Sequence, residues 1–394
     1  MRHDLHNPDS SMSFISAGYY GKCVFLALLF LFPGLLSPLF GQERAYTYYD
    51  EEELKVKEAY FVENGLPHGA YEFFDESGQL ILVGHLSQGK KEGKFAHYNF
   101  GTRDTLRLLN YHDNQREGEA FSWHISGELA QKATYKNDQL EGEVTAYYPD
   151  GEVRNITFFE NNVPDGTFKD FFPSGVLSES ATYENGAFSG ERLRYDPGGN
   201  LIQKATYTKG VLEGIEYTYF TTGEISSQIS YFHGVKHGLS VAYFEDGSVE
   251  KKGQYKKGEP DGKFATYWGD GSMEEESRFK NGKPVGETRT FHENGKLKRR
   301  IVHNNKGQST LSEIFDDGGN LIQRSSYLEG LLHGEIKTYY ASGQLKEKIP
   351  YKYGELDGTY VSHTEVGEIH LERTYQRGRI TKEKIHNKSQ QTTE

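Results

Sequence analysis

A unit of 24 residues recurs along this chain with almost no slippage. Glycine stands at Gly118, Gly142, Gly166, Gly190, Gly214, Gly238, Gly262 and Gly286, each 24 residues after the last, and the series resumes at Gly334 and Gly358 after Thr310 takes one place. Nine positions beyond each of these anchors lies a second glycine: Gly127, Gly151, Gly175, Gly199, Gly223, Gly247, Gly271, Gly295, Gly319, Gly343 and Gly367. Self-similarity at a fixed period is the signature of a repeat architecture. It also weighs against an enzyme, because a catalytic site brings unlike residues together, whereas here like residues recur at nearly every position.

Each unit reads as a β-hairpin. From Gly142 to Tyr148 the chain is rich in β-branched and aromatic residues, which pack well on a pleated surface. Pro149-Asp150-Gly151 then reverses it: proline presets φ, aspartate bonds its own backbone, and glycine supplies the left-handed residue of a three-residue loop. In the return strand Leu201, Ala205 and Tyr207 share a parity and so one face, as do Leu129, Ala133, Tyr135 and Leu177, Ala181, Tyr183. A second turn, expected to be wider, follows at Glu184-Asn185-Gly186 and Lys280-Asn281-Gly282 and leads to the next anchor.

Anchors at positions 69, 93 and 118 onward to 358 give thirteen units. The spacing of Tyr48-Tyr49, Glu53-Leu54 and Tyr60 matches that of Tyr147-Tyr148, Glu152-Val153 and Phe159, so residues 42–68 read as a degenerate N-terminal capping unit rather than an acidic linker. Hydrophobic residues are 35% of the chain and aromatics 14%, so burial rests on Tyr and Phe more than on Leu, Ile and Val. Tyrosine suits half-buried faces, since its ring packs while its hydroxyl stays wet. The expected fold is therefore all-β, an elongated row of fourteen hairpins in one continuous twisted antiparallel sheet. Two strands per hairpin at roughly 4.8 Å spacing imply a body on the order of 130 Å long before twist.

The pattern resembles the bacterial variant of the MORN repeat family, whose units read G-x4-Y-x3-G-x-L-x5-Y-x-N-G. Gly214, Tyr219, Gly223, Ile225, Tyr231 and Gly234 carry the match, as do Gly262, Tyr267, Gly271, Met273, Phe279 and Gly282, and the resemblance runs from about residue 43 to 378. It implies a hairpin repeat without catalytic function. Many bacterial members carry the label of toxin–antitoxin system antitoxin, which the motif itself does not encode. Tyr195-Asp196-Pro197-Gly198-Gly199-Asn200-Leu201 resembles in addition half a unit of the YD repeat of large secreted toxins.

Residues 1–41 differ in kind. Cys23 to Leu36 is an apolar run preceded by Lys22 and followed by Pro38-Leu39-Phe40-Gly41-Gln42, which reads as a secretory signal cleaved after Gly41; the alternative is a retained anchor. A start at Met12 gives a more ordinary basic leader than Met1. Export to the periplasm, outer membrane or exterior of a bacterium follows. Cys23 is the only cysteine, so the mature chain has neither disulfide nor cysteine metal site. The formal charge of −12 weighs against nucleic acid and anionic lipid as ligands, since both need a basic footprint. Residues 379–394 read as a polar, disordered tail.

Candidate chemistry is thin. His68, His237 and His333 precede anchor glycines and His124, His292 and His363 fall near strand ends, without metal-ligand spacing, so no metal and no cofactor are expected. The residue before the anchor runs Glu92, Glu117, Glu141, Asp165, Ser189, Glu213, His237, Asp261, Val285, Ser309, His333, Asp357, a line of turn acids either solvated or forming an acidic stripe along one edge. Adjacent aromatics close the first strand of most units and must point to opposite faces. One ring of each pair thus forms a candidate binding stripe of Tyr148, Phe172, Phe220, Phe244, Trp268 and Tyr340. The function expected is a non-enzymatic scaffold of the bacterial envelope holding a protein or glycan, with an antitoxin-like or immunity protein as the alternative.

Overall fold

The computed structural model describes residues 43–386; residues 1–41, read above as a signal segment, Gln42 and residues 387–394 lie outside the described residues. Among the described residues there is no helix, and 36 strands join in one antiparallel sheet. Seven of them are short pieces split from the following strand at a bulge, so the sheet consists of fourteen hairpins in chain order and one further strand. Each hairpin pairs only with its neighbours in sequence, as where 153–160 lies between 142–147 and 163–171.

The hairpin tip is as its residues dictate. Tyr148 N–H donates to Glu152 C=O and Gly151 N–H to Tyr148 C=O, both within 2.9 Å, which closes the three-residue loop with Gly151 at φ 92°. The other turn is narrower than expected. Asn185 and Gly186 both have positive φ, 51° and 78°, the signature of a two-residue type I′ turn whose twist matches the flanking strands. The anchor glycine lies beyond it, inside the next strand. Between the pairs Thr157–Phe168 and Phe159–Pro164 one strand advances two residues while the other advances four. The surplus is a bulge at Asp165-Gly166, where φ reaches 117°.

Successive units are joined through that bulge. Asn185 N–H donates to Asp165 Oδ2 (3.0 Å), and Gly186 N–H donates to the carbonyl of Pro164 (2.8 Å). The first bond recurs from Asn137 to Glu117, Asn161 to Glu141, His233 to Glu213, Asn281 to Asp261 and Arg377 to Asp357. Most tight turns thus hook onto the residues that follow the turn before them. Where the second turn residue is Asn or Asp, its side chain also accepts: Asn114 from Lys91 N–H, Asp138 from Arg116 N–H and Asn162 from Leu140 N–H.

On one face a central row runs across the strands, with cross-strand pairs Phe95–Leu109, Ala120–Ala133, Val144–Thr157 and Phe168–Ala181. Phe95 is wholly buried, packed edge-on against Tyr111 at 5.1 Å between ring centres. A parallel row of aromatics, including Tyr183, Tyr207 and Tyr255, lies beside it; Tyr183 stacks on Phe188 at 4.5 Å. These are the Ala and Tyr positions expected to pack. The central row also holds Gly84 and Gly253, and Phe95 and Phe264 lie so close over them that an added Cβ would sit 2.3 and 2.1 Å from the ring.

The last strand corrects the reading of the C-terminus. Arg379–Ile385 is not a disordered tail but pairs with 369–376 through the tight turn Arg377-Gly378. Its residues are all exposed, which hides it from any burial pattern, and its charges suit an edge strand that must not template further pairing.

Candidate binding surface

The six stripe residues all sit at hairpin tips, one residue past the end of the first strand, and all are half-buried. Two of the rings are tied to the neighbouring unit. The hydroxyl of Tyr148 donates to the carbonyl of Phe171, and that of Tyr340 to the carbonyl of His363, each at 2.8 Å. Tyr49 makes the equivalent bond to Phe74. His124 and His292 occupy the same position and reach the carbonyls of Tyr147 and Phe315 at 3.1 and 3.2 Å. Phe172, Phe220 and Phe244 have no polar atom to offer, and Trp268 Nε1 is buried without a partner. The position is thus a link between tips as well as a surface, and the histidines belong to it, which their place before the loop could have revealed.

The line of acids before the anchors is neither freely solvated nor a plain repulsive stripe, because its carboxylates accept the turn amides described above. His333 substitutes for an acid by accepting from Tyr353 N–H through Nδ1 at 3.4 Å. At Glu92 the carboxylate also meets His112 Nδ1 at 3.1 Å. That bond, with the amide of Asp113, holds the Glu92 carboxyl below the usual range and raises the His112 imidazole. Among the described residues no group of three or more His, Cys, Asp or Glu gathers as metal ligands would.

Charged residues interrupt the apolar rows midway along the sheet. Arg192 stands in the central row over the rings of Phe188 and Tyr207 and meets Glu179 through Nε and Nη2 at 2.8 and 2.9 Å. Burial, then the nearby Glu216 carboxylate, pushes the Tyr231 hydroxyl up to about 12. Burial likewise raises Asp170 despite its bond to Ser178.

The opposite face carries a ladder of ion pairs. Arg289 bridges Glu276 and Glu287, Arg300 bridges Glu287 and Glu313, and Arg324 meets Glu313 at 3.6 Å. Near the tight-turn edge of this sheet lie Val211, Ile215, Phe232, Val235 and Leu239, each between 40% and 53% exposed. Phe232 pairs with Val235 across the turn, and its ring touches those of His233 and His237 at 4.0 and 5.8 Å. Sequence reasoning did not single out these positions, since many other units hold Glu, Thr, Lys or Gln there.

Nine segments of the chain match the MORN repeat variant: residues 67–85, 116–137, 140–161, 164–185, 188–209, 212–233, 236–257, 284–305 and 332–353. No curated protein matches the sequence. Among solved structures, the chain is similar to one titled TcdB2-TccC3, at 12% identity and a TM-score of 0.16, over 84% of this chain and 24% of that one. It is similar too to a porin-like protein from Bacteroides uniformis, at 12% identity and a TM-score of 0.13, over 56% of this chain and 96% of that one. The chain spans about a quarter of the length of the first, and superpositions this loose establish no shared fold.

Proposed function

The chain belongs to the MORN repeat variant family, and from that premise we propose that it is a non-enzymatic interaction module whose sheet holds a partner protein or glycan across several units at once. The observation that carries this reading is the cluster of Val211, Ile215, Phe232, Val235 and Leu239, exposed together on one face. Scattered apolar residues are ordinary on a surface, whereas a contiguous group marks contact with something else. Repeats present such surfaces in register, so a partner can span neighbouring units. The solvent-facing halves of Tyr148, Phe172, Phe220, Phe244, Trp268 and Tyr340 would supply a second contact line at the tips. The apolar run from Cys23 to Leu36 supports export in a bacterium, and a partner in the envelope or outside the cell is in keeping with that reading.

Affinity capture with the native protein, followed by mass spectrometry, tests the proposal. The bait should carry Gln42 as its N-terminus and retain a specific envelope or exported partner that is lost when Phe232 and Leu239 are replaced by Ser. Equal capture by the variant, or an N-terminus that includes residues 23–36, would contradict the reading. Capture of a toxin in place of an envelope component would assign the antitoxin role.

A further inference from the structure

Between Arg278 and Lys306 the sequence holds nine Lys and Arg against two carboxylates, Glu287 and Glu293, in a chain whose formal charge is −12. The structure turns part of this basic segment into a groove. Lys252, Lys263, Arg278 and Arg289 stand on four successive strands, 249–256, 259–267, 273–280 and 286–291, and line an open groove of about 490 Å³ together with Met273 and Val285. Arg289 is neutralised by Glu276 and Glu287. Lys252, Lys263 and Arg278 are exposed and form no ion pair among the described residues; Lys252 lies over the Tyr267 ring at 5.2 Å.

Lys263 and Arg278 are moreover directly opposite each other across the strands. Like charges in that relation destabilise a sheet. The same pair of positions elsewhere holds Glu119–Thr134, Glu143–Phe158, Thr167–Thr182, Glu191–Thr206, Leu239–Gln254 and Glu287–Val302, and none is like-charged. Two other like-charged pairs, Arg289–Arg300 and Lys337–Lys348, are each bridged by one carboxylate, Glu287 and Glu335, whereas Lys263 and Arg278 form no ion pair among the described residues, which fits a site completed by a ligand of the opposite charge.

We propose that this groove binds an acidic polypeptide segment, with Lys252, Lys263 and Arg278 meeting its carboxylates and Met273 and Val285 meeting its apolar side chains. The inference rests on the reading of the protein as an interaction module and narrows the chemistry of the partner. A polypeptide fits better than a uniform polyanion, because Glu276 and Glu287 line the same groove and would repel an unbroken run of negative charge.

The test uses the full chain and fluorescence anisotropy with a labelled short peptide of Glu, Ser and Leu, its Gln-for-Glu counterpart, and inorganic polyphosphate as competitor. The acidic peptide should bind, the Gln peptide should not, and the double variant Lys263→Gln, Arg278→Gln should weaken binding about tenfold or more. The double variant Lys382→Gln, Lys384→Gln in the last strand should bind as wild type. Thermal unfolding of the groove variant should be no lower than that of wild type, because a repulsion has been removed. Equal peptide binding by the groove variant, or binding of polyphosphate alone, would overturn the proposal. If partner capture still depends on Phe232 and Leu239 in that case, the interaction module stands without this groove.

Discussion

At the scale of single residues, what an asparagine gains over a glycine in the tight turn depends on the residue it faces one unit away. Asn114, Asp138 and Asn162 face Lys91, Arg116 and Leu140, whose N–H groups they bind. Gly89, Gly186 and Gly282 face Pro67, Pro164 and Pro260, which have no N–H to give. Gly210, Gly234, Gly258, Gly354 and Gly378 face Phe188, Leu212, Lys236, Leu332 and Leu356, which do. Asparagine tolerates the left-handed conformation, so Gly210→Asn gains a bond that Gly186→Asn cannot form, and its added Cβ meets Ala187 at 3.5 Å, against 3.2 Å from Val163 at Gly186. Urea unfolding should find Gly210→Asn the more stable variant by about 1 kcal/mol. Equal stabilities would mean that the side-chain bond contributes nothing. The anchor and tip glycines were legible from their period alone. This dependence was not, because it links residues 22 apart that become neighbours only once the register is known.

At the scale of the element, the central row shows how a one-layer sheet buries anything at all. Alanine, serine and glycine sit opposite large rings, so that Phe95 fills the space above Gly84 and Phe264 the space above Gly253. A ring laid over a strand glycine shields backbone that would otherwise be left open to water. Gly253→Ala should therefore cost about 1–3 kcal/mol through overpacking, measured by thermal unfolding, and Phe264→Leu in the same chain should recover part of the loss. A neutral Gly253→Ala would show that the ring is free to move aside. The hairpins themselves were readable from turn chemistry and alternation, which are local. The final strand 379–385 was not, because a fully exposed edge strand has no buried face to impose alternation and its composition is that of a solvated end. The apolar cluster around Phe232 was equally hidden, since exposure depends on which positions of neighbouring units fall side by side.

At the scale of the whole sheet, the repeat is more than a row of similar hairpins. Most units spend a pre-anchor carboxylate or a backbone carbonyl on the next tight turn, so order is passed from unit to unit through nearest neighbours. The same rule lets one unit depart from the pattern, as at Lys263 and Arg278, while its neighbours hold it in register. In an isolated two-residue hairpin the turn amides point into water and exchange freely. Here Asn185 N–H and Gly186 N–H are held by Asp165 and Pro164, and Asn281 N–H and Gly282 N–H by Asp261 and Pro260. Hydrogen exchange resolved at single amides is the most direct test of this coupling. Protection of these four amides close to that of the adjacent strand amides, with Asn185 losing it in Asp165→Ala, is the result the linked array predicts. Exchange of the turn amides at the rate of unstructured peptide, while the strands stay protected, would contradict it.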